Sequence, residues 1–355
     1  MSVEAYKPLR HQNRALTSIR GVMALWVVGH HLQFEFSLLG YHDLGWLFRP
    51  GYVGVDIFFV LSGYVITAVH RDLDLGGARE FFIRRIFRVY PLHLFVLAIL
   101  VAIWARELRL SGAPPSAAKL THLGIVALLL QPYLIRDLDW NPVSWSIGVE
   151  MLCYLLFPLA LIVLRRMIFV VSLAVLIIAA LYERHVISDL IWGWPAIARG
   201  LAGFTLGMMV QQMTVLCPRP TAQVAMRIEW AALGFLLVAI LLRDLAVIPL
   251  LGALLIYGLA SERGMISRIL AGPVWFWLGQ ISFSLYLLHP TVTALAFAFL
   301  PPARLEAGLG LSRDGTVLLW TAAVLAILLG LATLTWLLVE EPARRCGGRL
   351  AQRAR

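Results

Sequence analysis

Long apolar segments recur along most of this chain, and they constrain its fold more than any other feature. Each is about 17 to 25 residues long, which as an α-helix matches the ~30 Å hydrocarbon core of a bilayer. The composition agrees, because 60% of the 355 residues are hydrophobic and only 14% are charged, too apolar for a water-soluble domain. The segments do not alternate polar and apolar residues as a membrane β-barrel would. The sequence therefore predicts an all-α polytopic membrane protein.

The apolar segments can be placed by their bounds in the sequence. They lie at 16–37, 51–70, 86–105, 121–135, 144–164, 167–182, 192–214, 228–242, 245–260, 275–299 and 316–339. The segment 121–135 is short for a span and lies between a proline pair and an acidic loop, so we expect a re-entrant or interfacial helix there. Without it, the pattern predicts about ten transmembrane helices from about 16 to 339.

Basic residues test this count, because positive charge concentrates on the cytoplasmic side of membrane proteins. With ten spans and a cytoplasmic N-terminus, most of the 30 lysines and arginines fall on that side. Eleven spans would instead place Arg165 and Arg166 outside. We therefore expect a single membrane domain over 1–355, with short cytoplasmic tails at 1–15 and 340–355.

Charge and cysteine usage exclude several other classes of protein. The net charge of +10 comes from basic residues scattered between spans, and no nucleic-acid-binding motif accompanies them. Cys153, Cys217 and Cys346 have neither paired nor metal-ligand spacing, so we predict no disulfide framework and no metal site. No serine has the Gly-x-Ser-x-Gly setting of a hydrolase nucleophile.

Ionisable residues inside spans each cost about 2.5 to 3.5 kcal/mol on insertion scales and therefore need a partner or a function. Those that stand out are His31, Asp56, Glu150 and His289, all predicted in the outer half of the membrane. A histidine titrates near neutral pH and a carboxylate can orient it, so the set suits general base catalysis. The alternative is structural: each group is satisfied by a buried polar partner, and Asp56 also suits a helix start. His30 lies on another helix face and is the weaker candidate.

A basic cluster, Arg84-Arg85-x-x-Arg88, lies at the cytoplasmic end of the third predicted span. Residues three apart share a helix face, so Arg85 and Arg88 suit a phosphate or pyrophosphate; the alternative is an anchor at lipid headgroups. Arg20 precedes His31 by eleven positions, about three helical turns, so both share a face, with Arg20 ~16 Å nearer the cytoplasm. Acyl-CoA has phosphates at one end and a thioester at the other. Basic residues toward the cytoplasm and a histidine toward the outside match the shape of this molecule.

Several segments match the ordered motifs of one family. The first helix carries Arg20 and His31, an arginine and a histidine separated by ten residues. Further matching segments are Gly54 to Tyr64, Arg85-x-x-Arg88 with Tyr90-Pro91, Trp145-Ser146-x-x-x-Glu150, Ser284-x-Tyr286-x-x-His289-Pro290 and Glu341-Pro342. In this order, over about 14 to 342, they resemble the acyltransferase-3 family of membrane O-acyltransferases. One departure is Thr17, where family members commonly have an acidic residue.

The resemblance implies acyl-CoA, most simply acetyl-CoA, as donor, and transfer to a hydroxyl of a carbohydrate or related acceptor, as in polysaccharide O-acetylation. It implies His31 as catalytic base or acyl-carrying residue, Arg20 as its companion and Glu150 as a further catalytic residue, with Arg85 and Arg88 as the donor-binding pair. Further candidate site residues are Asp56, Ser284, Tyr286 and His289. The pattern is typical of bacteria, so we expect the inner membrane, with both termini cytoplasmic.

Two other functions stay open at this point. A transporter or flippase for a glycan or small molecule also places polar residues along a helical bundle, although no inverted repeat is visible here. A catalytically inactive relative could serve as a membrane scaffold, but the presence of His31, Arg20, Arg85 and Arg88 argues against it. Transfer of label from acyl-labelled CoA to a product separates an enzyme from a transporter.

Overall fold

A computed structural model of the chain describes residues 13–38, 48–73, 76–136, 140–164, 191–242 and 247–353. These residues contain helices, turns and irregular segments but no β-strand, which confirms the predicted all-α class. The helices are α1 (Arg14–Leu38), α2 (Gly54–Val69), α3 (Ala78–Ser111), α4 (Ala117–Ala127), α5 (Gln131–Leu134), α6 (Trp145–Leu164), α7 (Gly193–Leu216), α8 (Ala222–Leu242), α9 (Ile248–Ala260), α10 (Met265–Leu270), α11 (Pro273–Gln280), α12 (Ser282–Phe299), α13 (Pro302–Leu309), α14 (Arg313–Thr335) and α15 (Glu341–Arg353). Short 3₁₀ turns lie at Arg49–Val53 and Pro142–Ser144, and a π-helical turn at Trp336–Glu340.

Six helical segments among the described residues are long and apolar enough to cross a membrane. They are Arg49–Val69, Ala78–Ser111, Pro142–Leu161, Ala222–Leu242, Ser282–Phe299 and Arg313–Arg353. The chain is therefore a multi-pass membrane protein, as predicted, although these six do not reach the expected ten. The predicted span 167–182 lies outside the described residues. Helices α1 and α7, with 25 and 24 residues, are long enough to cross but carry more polar side chains.

Two predicted segments differ from single spanning helices. The helix α4, which overlaps the predicted segment 121–135, has only 11 residues and a rise of ~16 Å. The helix ends before α5, and Leu129 between them has a φ of +60°. This agrees with the expectation that the segment is not a full span. The predicted span 275–299 is two helices, α11 and α12, because the helix is interrupted at Ile281. Gly279, which favours helix less than other residues except proline, lies just before this break.

Contacts between residues divide the chain into two units. The first comprises Met1–Met23, Val53–Ala78 and Leu152–Gln280, and the second comprises Ala24–Tyr52, Arg79–Met151 and Ile281–Arg355. The first unit thus contains α2 and α7 to α11. The second contains α3 to α5 and α12 to α15, together with the later part of α1, which carries His31.

In the first unit, α2 and α7 pack backbone against backbone. A Cβ atom added at Gly63 would overlap the carbonyl of Phe204, and one added at Gly207 would overlap the carbonyl of Val60. Small residues that admit such close approach are typical of helix pairs in membranes, where packing rather than a hydrophobic driving force associates the helices. The glycines of this pair therefore fix the distance between α2 and α7.

In the second unit, an aromatic cluster joins α1, α12 and α14. The ring centroids of Phe36 and Phe297 lie 5.6 Å apart, and those of Phe297 and Trp320 lie 4.2 Å apart. Trp320 is fully buried, and its indole Nε1 donates a hydrogen bond to the Leu300 carbonyl at 2.7 Å. The indole is thus satisfied at both its apolar and its polar ends. The cluster holds the part of α1 that carries His31 against α12.

Candidate active site

Two histidines from distant parts of the sequence meet in the second unit. His31 lies on α1 and His289 on α12; Nδ1 of His31 is 3.3 Å from Nε2 of His289, and the ring centroids are 4.9 Å apart. His289 is fully buried and His31 is partly buried. Both were predicted as site residues from the sequence, and the structure brings them together.

The neighbouring carbonyls define which ring nitrogens carry hydrogen. Nδ1 of His289 is 2.7 Å from the Tyr286 carbonyl, and Nδ1 of His31 is 2.9 Å from the Val27 carbonyl. A carbonyl only accepts, so both Nδ1 atoms are donors. A neutral His289 then presents a lone pair at Nε2, which shares the single Nδ1 hydrogen of His31 with the Val27 carbonyl in a bifurcated bond. His31 in turn holds its own lone pair at Nε2, the form that a general base requires.

His30 has a separate partner. Its Nδ1 donates to the carbonyl of Arg49 at 2.7 Å, and its ring lies edge-on to Tyr52 with centroids 5.3 Å apart. This bond ties α1 to the 3₁₀ turn before α2. His30 is therefore a neighbour of the His31–His289 pair with a structural bond of its own, in keeping with its weaker standing in the sequence.

Tyr286 and Ser146 connect α12 to the beginning of α6. The Tyr286 hydroxyl donates to the carbonyl of Val143 at 3.0 Å, and it lies 2.8 Å from the Ser146 Oγ. Both side chains are buried. Glu150 lies one helical turn after Ser146, on the same face of α6, and is partly buried. The His31 Nδ1 atom lies within hydrogen-bonding distance of both the Val27 carbonyl and the His289 imidazole.

A second polar cluster forms around a carboxylate that sequence reasoning did not single out. Glu340, only 2% exposed, forms an ion pair with Arg88 and accepts a hydrogen bond from the Ser284 hydroxyl at 3.0 Å. The Arg88 guanidinium also lies 5.4 Å from the centroid of the Phe283 ring. Glu340 directly follows the apolar segment 316–339, and a carboxylate at this position was itself a signal, because a charged group at the end of a span needs a partner when it is buried.

The two arginines of the predicted donor-binding pair have different surroundings. Arg88 turns inward onto Glu340, whereas the Arg85 guanidinium lies 5.7 Å from the centroid of the Phe81 ring. The preceding Arg84 pairs with Glu80, one turn earlier on α3, at 2.8 Å. Arg88 is thus paired with a buried carboxylate, and Arg85 stacks on an aromatic ring. Both contacts fix the orientation of the guanidinium plane.

Two further candidates belong to the first unit. The Asp56 carboxylate receives two hydrogen bonds from Arg199, at 3.0 and 2.8 Å, and both side chains are 10% exposed. This bidentate pair is the buried polar partner that the structural reading of Asp56 requires. Arg199 was missed in the sequence, although a lone arginine in the apolar segment 192–214 was its signal. Arg20 lies on the part of α1 in this unit and is half-buried.

The described part of the chain contains no group of three or more His, Cys, Asp or Glu side chains placed to hold a metal ion. In the same part of the chain, Cys153 is buried, and Cys217 and Cys346 are exposed as free thiols. The Nδ1 atoms of His31 and His289 contact backbone carbonyls. The arrangement therefore suits proton transfer by imidazole together with anion binding by arginine.

The chain is similar to a protein family and to several known proteins. A family model described as an acyltransferase domain, the acyltransferase-3 model, matches residues 13–339. A Bacillus subtilis protein, YrhL, whose name designates it a candidate peptidoglycan O-acetyltransferase, is 29% identical over 191 residues, 47% of this chain and 28% of the relative. A candidate O-acetyltransferase of Staphylococcus aureus is 26% identical over 214 residues, 56% of this chain and 30% of the relative.

A third relative has a different name. Acyltransferase MdmB of Streptomyces mycarofaciens is 32% identical over 151 residues, which cover 41% of this chain and 38% of the relative. The chain thus spans well under half the length of each of these three relatives. No solved structure matches the chain.

Proposed function

Because the chain belongs to the acyltransferase-3 family, we propose that it transfers an acyl group from acyl-CoA to a hydroxyl of a carbohydrate or related acceptor. Family membership and the spanning helices make it a membrane-bound acyltransferase. Acetyl is the proposed acyl group, since relatives are named as candidate O-acetyltransferases. A transporter or flippase is not favoured, because the matching family is one of acyltransferases.

The observation that carries the proposal is the pairing of His31 with His289. Both Nδ1 atoms donate to carbonyls, which leaves the lone pair of His31 on Nε2. In the proposed reaction this Nε2 takes the proton of the acceptor hydroxyl as its oxygen attacks the thioester carbonyl carbon. A C–O bond forms and the C–S bond breaks. The CoA thiolate leaves and takes up the proton from the imidazolium, so the histidine returns to its starting form.

Arg85 and Arg88 are the proposed ligands of the CoA phosphates. They lie on one face of α3, and the planar guanidinium suits bidentate contact with phosphate. The ion pair with Glu340 supports this role for Arg88, because a guanidinium has five N–H donors and a carboxylate on one edge orients the others. Arg20 and Glu150 complete the proposed catalytic set, on the strength of the family motifs alone.

The proposed acceptor is a carbohydrate of the cell envelope, supported by the name of the Bacillus subtilis relative. We propose the inner membrane as the location, with both termini cytoplasmic, supported by the distribution of basic residues. Acyl-CoA then enters from the cytoplasm, and the proposed acceptor binds nearer the outer half of the membrane, where His31 is predicted.

The test is transfer of label from acetyl-labelled acetyl-CoA by the purified protein in liposomes, across a panel of sugar acceptors. We expect His31→Ala to remain folded and lose about 10² to 10⁴ of the rate, the usual contribution of a general base. His30→Asn is the matched control, because asparagine can still donate to the Arg49 carbonyl, and its rate should stay near wild type. Arg85→Ala should mainly raise the KM for acetyl-CoA.

Two results would overturn parts of this proposal. A folded His31→Ala protein with the wild-type rate would remove His31 as the base. A wild-type protein that neither binds nor consumes acetyl-CoA would remove the donor, and a transport assay with labelled oligosaccharide would then become the first experiment.

A further inference from the structure

We propose that His289 is a positioning residue for His31, and that the adjacent Pro290 sets the tautomer of His289. The inference rests on the proposed function, in which His31 is the base. It adds a reason why a histidine and a proline stand side by side in the middle of α12. The proposed chain of contacts leads from Pro290 to the Tyr286 carbonyl, from this carbonyl to His289, and from His289 to His31.

The first step is the backbone group that Pro290 leaves without its helical donor. Pro290 lies inside α12 and has no N–H. In an uninterrupted α-helix the N–H of residue 290 would bond to the carbonyl four residues earlier, that of Tyr286. A carbonyl without a donor costs several kcal/mol in the membrane interior, so another group must serve it.

The second step is the group that serves this carbonyl. Nδ1 of His289 lies 2.7 Å from the Tyr286 carbonyl, and the His289 side chain is fully buried. Because of the proline, the Tyr286 carbonyl is available as an acceptor beside His289. This carbonyl requires His289 to carry its hydrogen on Nδ1. The Tyr286 side chain is itself anchored, because its hydroxyl donates to the Val143 carbonyl. The acceptor thus has a fixed position, and His289 has a fixed tautomer.

The third step transmits this tautomer to the base. With hydrogen on Nδ1, a neutral His289 accepts at Nε2, which lies 3.3 Å from Nδ1 of His31. The Val27 carbonyl, 2.9 Å from the same Nδ1, demands hydrogen there too. The opposite tautomers would set lone pairs against both carbonyls. Both acceptors therefore hold His31 with its lone pair on Nε2.

A merely structural His289 and a positioning His289 predict different kinetics. We expect His289→Ala to lower kcat about 10- to 100-fold with little change in the KM for acetyl-CoA, a loss of the size found when a group that orients a metal-bound histidine is removed. His289→Gln should restore most of kcat, because its amide oxygen can accept from His31 Nδ1–H. If folded His289→Gln is as slow as His289→Ala, or if both match wild type, the inference fails.

Pro290→Ala tests the proline directly. The alanine N–H would bond to the Tyr286 carbonyl and release His289 from its tautomer, so we expect kcat to fall about three- to tenfold. The melting temperature should rise at the same time, because proline is the poorest residue for a helix interior. Pro158→Ala in α6 is the matched control, a proline inside another helix, and should keep its kcat.

The outcomes separate this inference from the proposed function. A folded His31→Ala protein with full activity would remove the proposed base itself. Loss of activity in His31→Ala, with wild-type kcat in both His289→Ala and Pro290→Ala, would leave the base in place and overturn only the role of His289 and Pro290. A slower and more heat-stable Pro290→Ala protein is the result we expect.

Discussion

At the scale of single residues, Glu340 shows how one buried carboxylate can govern a binding group. It pairs with Arg88 and accepts from Ser284, and Glu340→Gln would remove the charge while keeping the shape. A hydrogen bond to a charged group contributes about 1.5 to 3 kcal/mol, so we expect the KM for acetyl-CoA to rise about tenfold or more. The value of kcat should change less, because Arg88 is proposed to bind the donor and not to move protons. Steady-state kinetics with labelled acetyl-CoA measure both values.

Glu341 is the matched control for this experiment. Its carboxylate pairs with Arg344 and Arg345, which are 49% and 71% exposed, so Glu341→Gln should keep the wild-type KM. An equal rise in both variants would contradict the role of Glu340.

The motif resemblance points to Glu341-Pro342, whereas the inward carboxylate is Glu340. Neighbouring residues of a helix point about 100° apart, so only one of the two glutamates can face inward. The π-helical turn at Trp336–Glu340 changes which side chain that is, and hydropathy does not report such a turn. Pro342, which has no N–H, lies just after the turn.

At the scale of helices, the α2–α7 pair depends on glycine more than on any side chain. A Cβ at Gly207 would overlap the Val60 carbonyl, which is backbone and cannot rotate away. We expect Gly207→Leu to separate the two helices and to abolish the monodisperse peak in detergent size-exclusion chromatography. Gly234→Leu in α8 is the control, because nothing among the described residues lies within 4 Å of its added Cβ. A Gly207→Leu protein as monodisperse and heat-stable as wild type would contradict this packing.

The helices also show which element properties can be predicted from sequence. The bounds of α1, α2, α6 and α7 follow the apolar segments closely, because hydropathy reports where a helix can lie in lipid. The break at Ile281 was missed, because hydropathy does not report backbone contacts. A Cβ on Gly279, two residues before this break, would overlap the backbone of Thr17. A contact between segments so distant in sequence leaves no local pattern.

At the scale of the whole molecule, composition and motif order predict a membrane protein of the acyltransferase-3 family, and the family match confirms that membership. The cost of polar groups in lipid predicts that His31 and His289 need partners, and the structure joins them. The sequence does not predict Arg199 as the partner of Asp56, or Glu340 as the partner of Arg88, because a partner depends on which helices are neighbours. The number of membrane spans is another property that the hydropathy pattern alone does not determine.

The side of the membrane on which two native cysteines lie tests one part of that number, namely whether α9 crosses the bilayer. Cys217 and Cys346 are exposed, and Cys153 is buried. Between the two exposed thiols lie α8, α9, α12 and α14, of which α9 has 13 residues, a rise of only ~20 Å. If α9 crosses the bilayer, four spans separate the thiols and both are cytoplasmic, as the ten-span topology predicts. If it does not, three spans place them on opposite sides. We expect a membrane-impermeant maleimide to label both Cys217→Ser and Cys346→Ser proteins in inverted vesicles and neither in intact cells; labelling of one from each side would contradict the ten-span topology.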